Sequence, residues 1–214
     1  MHSLWLCAAL ALGASPLEQG TLLFLENCNS VVERSTGGEI GHVALAFTDN
    51  NKTWVYEAAP AQVRRVTLAQ YEAELARLNA RRDSDDQTRL WALRPKPAYS
   101  AAEVAAMREH LEAELGRRYS VKNYVRSQPG KGVHCAELAA TTLNRSGRYE
   151  FDDCHTLHPT ALLNLIETTH VSREELALPA YEKQGTWCAR ADRRWGEIWS
   201  WCRWSCGEAA AWCW

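Results

Sequence analysis

Cys135 stands where a glycine-containing loop gives way to a helical pattern, in the run Gly132-Val133-His134-Cys135-Ala136-Glu137-Leu138. A cysteine in the first turn of a helix has its thiolate favoured by the helix dipole and by backbone N–H groups that lack an intrahelical partner. The same N–H groups can hold the oxyanion of an acyl transfer. The plainer alternative is a small residue buried at a helix start, as most cysteines are, so nucleophilic chemistry requires a base. His42 is the candidate, at the first position of the apolar stretch 42–47, where an imidazole can lie at a sheet edge facing a helix. Glu57 is the carboxylate that could orient it.

What would bring His42 and Glu57 together is a hairpin. Stretches 42–47 (HVALAF) and 53–57 (TWVYE) flank Thr48-Asp49-Asn50-Asn51-Lys52, a cluster of turn formers. With the turn centred between Asn50 and Asn51, Ala44 faces Glu57 and His42 faces Ala59. His42 and Glu57 then become diagonal neighbours on one face, roughly 7–8 Å apart at the backbone and within reach of a carboxylate–imidazole hydrogen bond. A slip of one residue would send them to opposite faces.

The remaining elements follow from periodicity and caps. Residues 21–25 (TLLFL) form a short apolar run with the character of a buried strand, and 90–93 (LWAL) a strand closed by Arg94-Pro95. Thr67 and Gln70 make a capping box that opens a helix with Leu68, Tyr71, Leu75 and Leu78 on one face. Ser100 and Glu103 make a second, whose helix turns Val104, Met107, Leu111 and Leu115 inward and stops at Gly116. A helix from about Cys135 to Asn144 ends near Gly147, and another begins near Pro159 with Leu162, Leu163 and Ile166 apolar. Strands early, helices interspersed and no sustained βαβ alternation predict an α+β domain over residues 18–182, a small antiparallel sheet packed against helices.

Composition narrows the function classes. The chain of 214 residues is 46% hydrophobic with a net charge of −2, which excludes bulk disorder. Its 24 Lys and Arg are balanced by 26 Asp and Glu, so there is no cationic field for nucleic acid. No membrane span is expected, since the longest uncharged apolar run, 4–14, falls far short of about 20 residues. Residues 1–14 have the shape of a short signal peptide, an apolar stretch followed by Gly13, Ala14 and Ser15, although no Lys or Arg precedes it. That predicts a secreted or periplasmic protein. The last 28 residues carry seven of the ten Trp and four of the eight Cys without a clear period. This 187–214 tail is expected to lie outside the fold.

A second chemistry is a metal site. His134, Cys135, Cys154, His155 and His158 offer five soft donors, of which zinc could take four, but their spacing matches no paired Cys-x-x-Cys pattern. No metal or other cofactor is assigned.

Several blocks carry a family resemblance: Gly20-Thr-Leu-Leu-Phe24, Ser35-Thr-Gly-Gly-Glu-Ile-Gly-His42-Val-Ala-Leu45, Val55-Tyr-Glu57-Ala58 followed by Val63-Arg64, Leu115-Gly-Arg-Arg-Tyr119, and Val133-His-Cys135-Ala-Glu137-Leu138. In this order they resemble the YiiX/YebB-like family of circularly permuted papain-like thiol hydrolases, relatives of NlpC-type cell-wall amidases and of lecithin:retinol acyltransferase. The resemblance implies a permuted papain-like (NlpC-type) fold. It makes Cys135 the nucleophile, His42 the general base and then acid, and Glu57 the residue that fixes the His42 tautomer. It places Tyr119 in the site as a substrate-binding or oxyanion residue. The chain departs from the pattern at Thr21 and Ser120, where Asp is usual, and at Ala136, where a small hydroxyl is usual.

The implied activity is hydrolysis of an amide or (iso)peptide bond through a thioester, with peptides of cell-wall (peptidoglycan) type as substrate. Two alternatives stand beside it: acyl transfer to or from lipids on the same fold, and a non-catalytic binding domain that keeps the triad as a relic.

Overall fold

The structure is a computed structural model, which describes residues 17–181. The expectations for segments 1–14 and 187–214 lie outside the described residues. Within them the elements run β1 (Thr21–Glu26), α1 (Ser30–Thr36), β2 (Ile40–Asp49), β3 (Lys52–Ala58), β4 (Val63–Thr67), α2 (Leu68–Asn79), β5 (Arg89–Leu93), α3 (Ala101–Glu114), α4 (Lys122–Arg126), α5 (Cys135–Arg145), α6 (Pro159–Ile166) and β6 (Glu174–Leu176). The strands form one antiparallel sheet in the order β4-β3-β2-β1-β5-β6. The protein is therefore α+β, as its pattern predicts, with a sheet wider than the sequence suggests.

The central strand β1 is apolar on consecutive residues because both of its faces are covered. Leu22 and Phe24 join a core with Val43, Leu45 and Phe47 of β2 and with Met107, Leu111, Leu138 and Leu162 from the helices α3, α5 and α6. Leu23 and Leu25 join a second core with Ala44, Ala46 and Val55 and with Tyr71 and Leu75 of α2. Each fully buried Leu or Phe contributes about 2 kcal/mol relative to exposure.

The β2–β3 turn is made by two residues with positive φ, Asn50 at 48° and Asn51 at 60°. That is the tight hairpin geometry asparagine tolerates best among non-glycine residues. Its register, Asp49↔Lys52 through Leu45↔Tyr56, is the one expected. The strands are longer than predicted and consume most of the five turn formers.

Both capping boxes form, at Thr67/Gln70 and Ser100/Glu103. Tyr71 and Leu75 face inward as expected, but Leu78 is 47% exposed, and the buried residue of that last stretch is Ala76. Met107 and Leu111 are fully buried, whereas Val104 and Leu115 only flank the core. Leu162 and Ile166 are buried, with Leu163 packed partly against them.

The register of β1 against β2 shifts where Leu25 pairs with His42 and Glu26 with Ile40, leaving Gly41 as an extra residue. Only glycine fits there: a Cβ would lie 2.7 Å from Cys28 Sγ and 2.8 Å from Glu33 Oε1. Bulges of this kind re-aim the neighbouring side chain, and here the neighbour is His42.

Candidate active site

His42 is the third residue of β2, two positions further into the strand than expected. Its Nε2 lies 2.7 Å from Glu57 Oε2. Only 16% of the His42 side chain and 6% of the Glu57 side chain are exposed, so the contact is screened little by water. With Nε2 committed to the carboxylate, Nδ1 is the nitrogen left for a second partner.

Glu57 divides its two oxygens. Oε2 takes His42, while Oε1 accepts from Arg64 Nε at 2.7 Å and lies 2.6 Å from its Nη2 in the ion pair. Arg64 pairs directly opposite Glu57 across β3 and β4. Its other edge reaches Glu74 of α2, with Nη2 2.6 Å from Oε2. Burial pushes the Glu57 carboxyl up, but His42 and Arg64 outweigh it and hold the group below the usual carboxylate range. Glu57 is thus a buried anion with a partner on each oxygen, as a buried charge requires.

Cys135 is the first residue of α5, buried but for 5% of its surface. The residue before it is the N-cap: His134 Nδ1 accepts from the Glu137 N–H at 3.3 Å, and its Nε2 lies 3.1 Å from the carbonyl of His155. The loop that delivers Cys135 is tied down from outside. Arg117 donates to the carbonyls of Gly130, Lys131 and Gly132 at 2.8–3.1 Å. Asn123 donates to Gly132 O at 2.9 Å and to both oxygens of the buried Glu137 at 3.0 and 3.3 Å.

The electrostatics separate Cys135 from the other described cysteines. Burial pushes the Cys135 thiol up, yet the His42 cation, with hydrogen bonding to His134 and His42, brings it down to about 6. Reciprocally, burial works against the His42 imidazolium, and the Cys135 thiolate and Glu57 carboxylate raise it to about 10. A thiolate–imidazolium pair is therefore favoured across neutral pH. Burial instead drives Cys28 well up, with Glu33 adding to it, and burial also raises Cys154.

Tyr119 is brought to the same region through its backbone. It forms a parallel bridge with Val133, two residues before Cys135, and its half-buried side chain packs against the first core. Arg64 and Arg117, quoted from the sequence only within the resemblance blocks and given no role, and Asn123, not named there, are the further residues of this site. Their signal is spatial, since each acts on a residue 7 to 15 positions away.

The five soft donors do not assemble. Cys154 Sγ is directed at Phe151 O, 3.3 Å away, His134 caps α5, and His158 caps α6 through the Ala161 N–H. Among the described residues no group of three or more His, Cys, Asp or Glu side chains could hold a metal ion, nor is any helix long and apolar enough to cross a membrane.

No family model matches the chain, and no curated protein does. Among solved structures it is similar to the metalloprotein YiiX of Escherichia coli O157:H7, described as DUF1105, with a TM-score of 0.51 and 14% identity over 76% of this chain and 98% of that one. At that identity the likeness speaks for the fold alone.

Proposed function

We propose that the protein is a thiol hydrolase that cleaves an amide or (iso)peptide bond through a Cys135–His42–Glu57 triad, on a permuted papain-like fold with the triad in the chain order His, acid, Cys. The observation that carries this reading is electrostatic and geometric at once. The one described cysteine whose thiol is lowered into the physiological range interacts with an imidazole whose Nε2 is 2.7 Å from a buried carboxylate.

In the reaction, the Cys135 thiolate attacks the substrate carbonyl carbon. The oxyanion that forms accepts hydrogen bonds from the free N–H groups at the start of α5, including that of Cys135. The His42 imidazolium gives its proton to the leaving amine as the C–N bond breaks, which leaves a thioester and a neutral ring. Water then attacks the thioester carbonyl, His42 takes its proton, and collapse releases the carboxylic acid and restores the thiolate–imidazolium pair. Glu57 stays ionised throughout and holds the ring by Nε2. Wall-type peptides are the substrate class proposed, consistent with export.

The test is the pH dependence of Cys135 alkylation by iodoacetamide, followed on the Cys135 peptide by mass spectrometry. The expected midpoint is about 6, with Cys135 labelled at pH 7 well ahead of Cys28 and Cys154. A midpoint in the ordinary thiol range of about 8.5, or unchanged peptide-bond turnover in Cys135→Ala, overturns the proposal.

A further inference from the structure

Glu57 faces His42 with one oxygen and Arg64 with the other, and Arg64 in turn lies between two carboxylates on different elements, Glu57 of β3 and Glu74 of α2. This is more apparatus than holding a ring in place requires. An amide would hold Nε2–H as well; a bare buried carboxylate would hold the proton harder, and His42 must surrender that proton to a leaving group in every turnover.

We propose that Arg64, held by Glu74, is a positioning and charge-balancing residue of the triad: it fixes the Glu57 carboxylate on its Oε1 side and offsets the charge that His42 and Cys135 feel. The inference rests on the thiol-hydrolase reading and adds an outer layer to it. Three features support a role beyond strand pairing. The guanidinium uses its Nε/Nη2 edge on Glu57 and its Nη1/Nη2 edge on Glu74, a two-sided fork that Lys cannot reproduce. Arg64 is about two-thirds buried at the side chain, so its field at Glu57 is only partly screened. The pair Glu57↔Arg64 is also directly cross-strand, one register step from the Ala58↔Val63 pair that closes the β3–β4 ladder, so the fork sits on rigid backbone.

The sign of the effect follows from which charges face the pair. Around Cys135 and His42 lie Glu57 of β3, His134 at the N-cap of α5, Cys28 from the segment after β1, and Tyr71 of α2; Glu33 of α1 faces Cys28, and Glu137 of α5 lies 3.7 Å from His134. Arg64 is the cation that bears directly on Glu57. Without it the uncompensated carboxylate disfavours the thiolate and favours the imidazolium, so both groups release their protons at higher pH.

The experiment measures two midpoints in the full-length protein: iodoacetamide alkylation of Cys135, read by mass spectrometry, and the His42 imidazole titration, read by NMR. In Arg64→Met both are expected to move up, by about half to one pH unit for a partly screened charge, with Cys135 labelling at pH 6 falling about 2- to 5-fold. Arg64→Lys, which keeps the charge and loses the fork, should leave both midpoints much nearer their wild-type values than Arg64→Met does. Glu74→Gln removes the competing carboxylate and should move both midpoints slightly the opposite way. That variant and Arg64→Lys carry the test if Arg64→Met does not fold. A merely structural Arg64 would lower the folded fraction and leave the midpoints of the folded molecules where they were. Unmoved midpoints in Arg64→Met, or an upward move in Glu74→Gln, overturn the inference. A wild-type Cys135 midpoint in the ordinary thiol range would instead defeat the hydrolase reading on which it rests.

Discussion

His42 and Glu57 meet at 2.7 Å across a hairpin whose turn is Asn50-Asn51, and they meet because the register of that turn puts them diagonally on one face of the sheet. Side chains of β2 and β3 alternate between two cores. Leu45 and Tyr56 go to the core under α5, Ala44 and Val55 to the core under α2. His42 and Glu57 are in phase with the second pair, so a single turn geometry sets which face receives the acid–base couple.

Removing the cation beside the thiol tests that couple first. In His42→Ala the influences left on Cys135 are burial, which raises it, and His134, so its midpoint should climb from about 6 toward or past the ordinary value of 9.0. The thiolate fraction at pH 7 would fall from about nine-tenths to about one-hundredth, a loss of nearly two orders of magnitude in alkylation rate. Iodoacetamide labelling of the Cys135 peptide at fixed pH measures it, and a fall of less than threefold would show that the imidazole does not govern the thiol. Glu57→Gln keeps a partner for Nε2 but drops the charge, so the His42 titration should fall from about 10 while labelling at pH 7 is partly retained.

The same pair leaves a mark on folding stability. His42 rises on folding from 6.5 to about 10, so its contribution is fully present below 6.5 and is lost as pH rises through about 10. Cys135 falls from 9.0 to about 6, so its contribution is present above 9 and is lost as pH falls through about 6. Between pH 7 and 8.5 the folded and unfolded states bind equal numbers of protons at these two sites, and stability owed to them is flat. From about pH 9 to 10 the folded state holds about half a proton more, and stability falls by about 0.6 kcal/mol. Urea denaturation at pH 8, 9 and 10 should show this decline in the wild type and a smaller one in Cys135→Ser. Equal slopes in the two proteins would mean that the thiolate does not hold the His42 proton.

Much of this was legible in the chain because the signals were local. The two capping boxes, the Asn-Asn turn and the continuous apolar run of β1 each specify their own geometry within about six residues, and each formed as expected. The misses share a cause. Strand β4 is VRRVT, too short and too charged to alternate, and it takes its identity from pairing with β3. Strand β6 is the acidic tripeptide Glu174–Leu176, a strand only because β5 offers an edge. Arg64 and Asn123 matter through partners on other elements, which no spacing announces. Leu78 fits the helical stripe but lies beyond the last α2 residues that the second core covers.

The capping boxes give a prediction that is independent of the chemistry. Thr67→Ala removes the acceptor for the Gln70 N–H and should cost about 1 kcal/mol. Ser100→Ala should cost a similar amount at α3, where Glu103 also engages Arg148. Neither capping box includes Cys135, His42 or Glu57, so the Cys135 alkylation midpoint should stay put in both variants while the denaturation midpoint drops. A shift in the alkylation midpoint would mean that the helix start is linked to the active site.

Asn123 makes the sharpest link between stability and reactivity. Its amide donates to both oxygens of Glu137 and to Gly132 O, and so joins α4, the first turn of α5 and the loop that presents Cys135. Asn123→Leu keeps the volume and strips the donors, leaving the buried Glu137 carboxylate without them. The expected cost is about 1–3 kcal/mol for the unsatisfied acceptor. Because the loop carbonyl at Gly132 loses one of its two donors and keeps only Arg117, Cys135 should also be alkylated more slowly in the molecules that remain folded. Asn123→Asp is the contrasting variant. It is nearly isosteric but sets a second carboxylate against Glu137, so it should destabilise more than Leu at pH 8 and recover as pH falls toward 5 and the introduced Asp takes up a proton. Denaturation of the two variants at pH 5 and pH 8 measures this, and stability of Asn123→Asp that does not depend on pH relative to wild type would show that Glu137 is not the group Asn123 serves.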